Sequence, residues 1–173
     1  MNPPLDTQCY NTYYAAMTDL KTEIKQTKPF GSLQEEAHLN IVRTAAMLSH
    51  AFNEAVRGRG ITGTQYNALR VLRGAGEKGL CRNEVRDRLV AQVPDATRLL
   101  DRLERMGLIE RQRQDGDRRY VTTRITPAGL ELLAELDGPV CQLHRAQIDE
   151  ATDEELRTVV SVLERIRSRL QAV

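Results

Sequence analysis

A chain of 173 residues with 40% hydrophobic content is long enough for one sizeable domain, or for a domain with an oligomerisation arm. Its 25 Lys and Arg against 24 Asp and Glu leave a formal charge of +1, so any basic surface must be local and no global field marks a polyanionic partner. Aromatic content of 4% without Trp disfavours a sandwich or barrel, and Leu, Ala, Glu and Arg at helical spacing predict a mainly α fold.

In chain order, residues 1–31 read as an arm: an irregular start at 1–6, a helix-compatible stretch at 10–25, and a stop at Lys28-Pro29-Phe30-Gly31. Ser32-Leu33-Gln34-Glu35 has capping-box spacing and opens a long helix over 32–60, with a stripe of Leu39, Val42, Ala46, Phe52 and Val56 and a stop at Gly58 and Gly60. Thr62-Gly63-Thr64-Gln65 repeats the signal for a second helix carrying Tyr66, Leu69 and Leu72, ending at Gly74 and Gly76. A short third helix is expected over 80–89 with Val85 and Leu89 inward, and a fourth over 94–106 with Pro94 in its first turn. Ala96, Leu99, Leu100, Leu103 and Met106 give that fourth helix an apolar face, while Pro94, Thr97, Arg98, Asp101 and Arg105 lie opposite.

Gly107 ends the fourth helix, and two strand-like runs within 108–125 flank Gln114-Asp115-Gly116-Asp117, whose Asp-Gly pair signals a β-hairpin. Thr126 and Pro127 start a fifth helix through Leu130, Leu133 and Leu136 to about residue 148, with a kink or break expected at Gly138-Pro139. Thr152-Asp153-Glu154-Glu155 is a third capping box. It opens a last helix whose inward residues are expected to be Leu156, Val159, Val160, Leu163, Ile166 and Leu170.

The chemistry concentrates between residues 80 and 126, where helix, turn, helix and hairpin follow in order and eleven Arg stand against eight acidic residues. Arg111, Arg113, Arg118, Arg119 and Arg124 place much of that excess in the hairpin. A helix held by its apolar face can offer the other face to the DNA major groove, and a basic hairpin beside it can reach the minor groove or backbone. A solvated charged hairpin is the bland alternative.

These segments resemble the MarR (multiple antibiotic resistance) family over residues 33–173. The resemblance rests on Gln65-Tyr66-Asn67-Ala68-Leu69-Arg70, Thr97-Arg98-Leu99-Leu100-Asp101-Arg102-Leu103-Glu104, Gly107-Leu108-Ile109, Asp115-Gly116-Asp117-Arg118-Arg119 and Ile125-Thr126-Pro127-Ala128-Gly129. It implies a winged helix-turn-helix with a two-stranded wing. Residues 61–126 would form the DNA-binding lobe, and interlocked dimerisation helices would come from 32–60 and 127–173. It further implies a homodimer on a pseudo-palindromic double-stranded operator, with Gln92, Val93, Pro94, Asp95, Thr97 and Arg98 at the major groove. Arg102 would reach phosphate, and Arg113, Asp117, Arg118 and Arg119 would form the wing site, Asp117 orienting one of the two arginines. The activity implied is a repressor released by a small phenolic or aromatic-acid ligand held between the dimerisation helices and the lobe.

Two other readings stand beside it. Cys9, next to Tyr10, Tyr13 and Tyr14, resembles the sensing cysteine of a peroxide-responsive branch of the family, whereas Cys81 and Cys141 read as small apolar residues. A winged helix used to bind protein is the second alternative. No metal site or cofactor is expected from three scattered Cys and three scattered His. The absence of a nucleophile-base pair, phosphate loop or paired carboxylates argues against an enzyme. No apolar run approaches the roughly 20 residues of a membrane span, and no signal segment opens the chain, so a cytoplasmic protein is expected.

Overall fold

The computed structural model describes residues 19–114 and 117–172, and side chains outside 113–120. Its elements are α1 (Leu20–Glu23), α2 (Leu33–Arg57), α3 (Gly63–Ala75), α4 (Arg82–Arg88), α5 (Ala96–Arg105), β1 (Ile109–Gln114), β2 (Asp117–Ile125), α6 (Pro127–Ala146) and α7 (Asp153–Gln171). The chain divides into two compact units, residues 1–48 and 49–173.

In the first unit, Asp19 caps α1 by accepting from the Thr22 N–H, which holds the Asp19 carboxyl below its ordinary pKa. Ser32 Oγ accepts from the Glu35 N–H at 3.1 Å as the capping box requires, but the Glu35 carboxylate reaches back to the Gly31 N–H at 2.7 Å. Most of the helix-compatible stretch at 10–25, with Cys9 and the three tyrosines beside it, lies outside the described residues.

The core lies in the second unit. Val56, Ile61, Tyr66, Leu69, Leu72, Val85, Leu100, Leu103, Leu133 and Val140 are buried in one cluster. The caps that mark its helices are those of the sequence. Thr62 and Gln65 form a reciprocal capping box at α3, Thr126 caps α6 with Pro127 in its first turn, and Thr152 and Glu155 form a second reciprocal box at α7. The hydrogen bond from the Thr152 N–H keeps the Glu155 carboxyl below its ordinary pKa. Gly107 closes α5 in a left-handed turn (φ +70°), with the Leu108 N–H bonded to Leu103 O and the Gly107 N–H to Glu104 O.

The wing is an antiparallel hairpin in which Ile109 pairs with Ile125 and Arg113 with Val121, the register shifting between Arg113 and Gln114. Leu80 adds a bridge to it. Its N–H and C=O exchange hydrogen bonds with Thr123 at 3.0 and 2.8 Å, so Leu80 is a strand residue and the expected helix over 80–89 contracts to Arg82–Arg88.

Three further expectations are corrected. Pro94 does not enter the first turn of α5, because Asp95 takes the N-cap and accepts from the Arg98 N–H at 3.0 Å, which moves the helix start to Ala96. Gly138-Pro139 does not break α6, which runs through Pro139 with Leu136 and Val140 buried on either side of it. The stripe expected to face inward on α7 is only partly covered: Leu156 and Leu163 are half-buried, but Val159 and Val160 are more than half exposed and Leu170 is 72% exposed. On α2, Phe52 and Val56 pack on the core, whereas Val42 and Ala46 are exposed. Periodicity locates an apolar stripe but carries no information about what covers it.

Candidate nucleic-acid interface

Helix α5 is held by Ala96, Leu100 and Leu103, all buried, with half-buried Leu99 beside them. That face fixes the other, leaving Thr97, Arg98, Arg102 and Arg105 exposed. The approach to α5 is fixed as well, since the Val90 N–H donates to Asn67 Oδ1 on α3 at 2.9 Å. Gln92 and Pro94 are exposed and Val93 half-buried in the 89–95 connection, and Asp95 has its carboxylate occupied at the cap. Thr97, Arg98 and Arg102 are thus brought to one exposed side of α5, with Gln92 and Pro94 just ahead of it.

On the hairpin, the backbones of Arg113, Asp117, Arg118 and Arg119 lie at the distal end of β1 and β2, away from the Leu80 bridge. Their side chains, including the expected orienting role of Asp117, lie outside the described residues. Arg111 and Arg124 are differently employed than a count of hairpin arginines suggests. Arg124 Nε donates to Glu77 O at 2.5 Å and its Nη1 to Gln112 Oε1 at 2.8 Å. Arg111 Nε donates to Glu104 Oε2 at 2.9 Å, and Nη2 donates to Asp101 Oδ1 at 2.6 Å and to Glu104 Oε2. The Glu104 hydrogen bond raises the Arg111 pKa further, against the opposing effect of partial burial. Asp101 therefore pairs across elements with Arg111, not along α5 with Arg98 or Arg105 as helical spacing allows. Arg105 instead donates to the Asp101 carbonyl.

Sequence reasoning did not single out Arg82. It is exposed at the start of α4, and its Nη1 donates to Thr97 Oγ1 at 3.3 Å, adding a guanidinium beside the first turn of α5. The signal available was its place just after the cap of the helix that precedes α5. Cys81 is that cap residue and half-buried. Its N–H donates to Glu84 Oε2 at 2.8 Å, which keeps the Glu84 carboxyl below its ordinary pKa. Cys141 is exposed.

A separate cavity of about 620 Å³ opens among α3, α6 and the start of α7, lined by Tyr66, Arg70, Val140, His144, Ile148 and Leu156 among others. Phe52 meets Tyr66 edge-on at 5.3 Å and stacks on His144 at 5.8 Å, and the Arg70 guanidinium lies 6.0 Å from the Tyr66 ring centre. Burial raises the Tyr66 pKa, keeping its phenol protonated. At the cavity wall, Arg73 forks onto Asp137, itself a lining residue, at 2.7 and 3.1 Å, tying α3 to α6 and holding the Asp137 carboxyl below its ordinary pKa. Among the described residues no cluster of His, Cys, Asp and Glu could hold a metal ion, and no helix is long and apolar enough to cross a membrane.

A MarR family model matches residues 59–119, which run from the turn after α2 into the hairpin. The crystal structure of a MarR transcription factor from Planctomyces limnophilus is 37% identical. The similarity covers 79% of this chain and 98% of that one, with a TM-score of 0.62. The chain belongs to the MarR family. A MarR variant from Escherichia coli, crystallised in complex with operator DNA, is 25% identical over 86% of this chain and 99% of its own, with a TM-score of 0.69. The transcriptional repressor MprA of Escherichia coli K12 is 33% identical over 87 residues, 50% of this chain and 49% of that protein. The chain thus spans about half the length of the curated relative it matches. The mainly helical fold with a two-stranded wing is that of the family.

Proposed function

We propose that this MarR-family protein is a homodimeric, cytoplasmic DNA-binding regulator rather than an enzyme, and that it represses transcription from a pseudo-palindromic operator. The observation that carries the reading is α5, whose apolar face is buried while Thr97, Arg98 and Arg102 stand exposed beside an arginine-bearing hairpin. In this reading the first turn of α5, with Gln92, Val93, Pro94 and Asp95 ahead of it, approaches the major groove. Arg113, Asp117, Arg118 and Arg119 serve the wing. The operator complex of the Escherichia coli relative supports the DNA partner. The exposed part of the apolar stripe on α7 supports a second copy as the surface that buries it. Residues 32–60 and 127–173 then act as dimerisation helices, residues 61–126 as the DNA-binding lobe and residues 1–31 as an arm. The aromatic cavity beside Tyr66 and Arg70 is the place for a small phenolic or aromatic-acid inducer, which acts by binding the DNA-free state more tightly.

Footprinting the purified protein on DNA flanking its own gene is expected to protect an inverted repeat with half-sites about one helical turn apart. Added phenolic acid is expected to release it. No protection even in dilute buffer would remove the DNA-binding reading, since phosphate neutralisation must strengthen binding as salt falls. Within that site, Arg98→Ala and alanine at whichever of Arg118 and Arg119 meets DNA are each expected to cost about 1–3 kcal/mol of binding and to lower the salt slope by about one unit. Titrations by fluorescence anisotropy at several salt concentrations measure both. Unchanged binding by all three variants would count against these assignments.

A further inference from the structure

We propose that Arg111 is a positioning residue, not a DNA contact: it fastens the wing to α5 so that both meet DNA as one rigid piece. The proposal rests on the DNA-binding reading above and concerns how that surface is held. Asp101 and Glu104 lie three residues apart on α5, hence on neighbouring positions of one face. Two carboxylates on the helix that approaches a polyanion repel it unless something neutralises them. The neutralising cation comes from the hairpin: Arg111 bonds Glu104 at 2.9 Å through Nε and Asp101 at 2.6 Å through Nη2.

Arg111 is also well anchored at its own end. It lies on the part of β1 where pairing with β2 is in register, opposite Thr123, and Thr123 is buried and bridged to Leu80. Its side chain is only 25% exposed, so the guanidinium is turned into the junction, where Nε and Nη2 are both engaged by the two carboxylates. The fork geometry that spans two carboxylates belongs to arginine, because a lysine ammonium offers a single point of contact.

The test exploits a difference in sign. Asp101→Asn with Glu104→Gln removes two negative charges from the DNA-facing helix and frees Arg111. If Arg111 were a phosphate contact, or if charge alone mattered, a mixed-sequence duplex would bind more tightly. If Arg111 positions the wing, binding weakens by about tenfold and the salt slope becomes shallower, because wing cations leave the phosphates. Arg111→Gln is expected to behave like the double variant, and Arg111→Lys to lie between it and the native protein.

Circular dichroism and urea midpoints establish that each variant is folded. A merely structural loss lowers the active fraction without altering the slope. Tighter or unchanged binding by the double variant, or weaker binding at an unchanged slope, overturns the positioning role while leaving the DNA reading intact. Failure of the native protein to bind any duplex overturns that reading instead.

Discussion

Gly129→Ala is expected to destabilise the fold by about 3 kcal/mol, at the upper end of the usual overpacking range, although Gly→Ala inside a helix ordinarily stabilises by about 0.5–1 kcal/mol. The reversal comes from where the first turn of α6 sits. A Cβ on Gly129 would fall onto the Leu108 carbonyl oxygen, closer than any real Cβ contact, and within 2.7 Å of Ile125 Cγ1. Neither neighbour can yield cheaply. The Leu108 carbonyl accepts the Thr126 N–H at 3.1 Å, and Ile125 is the last residue of β2, paired with buried Ile109. Gly74 on α3 supplies the control, since a Cβ there meets nothing within 4 Å and Ala75, not a proline, follows it. Gly74→Ala is expected to leave stability unchanged or raise it by up to about 1 kcal/mol. Urea denaturation of both variants measures the contrast, and equal midpoints would refute the close approach of α6 to the end of the wing.

The second large effect concerns assembly. Val160→Asp combined with Ile166→Asp is expected to leave the folded lobe intact, because both side chains are already 54% and 40% exposed in the single chain. If α7 meets a second copy, the two aspartates would be buried without partners and the dimer would dissociate. Loss of the linked second half-site would then weaken binding to an inverted repeat by about 10²–10⁴-fold, while binding to a single half-site changes little. Sedimentation velocity and binding titrations on the two duplexes measure this. A variant that stays dimeric and keeps its preference for the inverted repeat would exclude this face of α7 as the interface.

How much of this was legible in the sequence follows from the range of each interaction. Thr62, Thr126 and Thr152 marked helix starts correctly because a cap is decided within four residues, and the Asp-Gly hairpin signal is equally local. Pro94 misled because a local preference for proline in a first turn competed with a stronger one, the Asp95 carboxylate at the cap. Leu80 could not be read as a strand residue, since one bridged residue has no period and its partner Thr123 is remote in sequence. The Arg111 pairing was hidden for the same reason. A count of charges in the hairpin gives a basic excess, but only the packing of α5 against β1 reveals that one of those charges is consumed internally. Pro139 was expected to kink or break a helix, and α6 continues through it with Leu136 and Val140 buried on either side.

The closure at the base of the wing bears on how the lobe is made. Leu80 bonds to Thr123, and Arg124 donates to the carbonyl of Glu77 across a separation of 47 residues. These links span α4, α5 and β1, so their ordering entropy is committed before the contacts repay it. The intervening helices and the hairpin consequently acquire their native arrangement together, as a single cooperative block. A nascent chain stalled before β2 would hold helices with no floor to settle on.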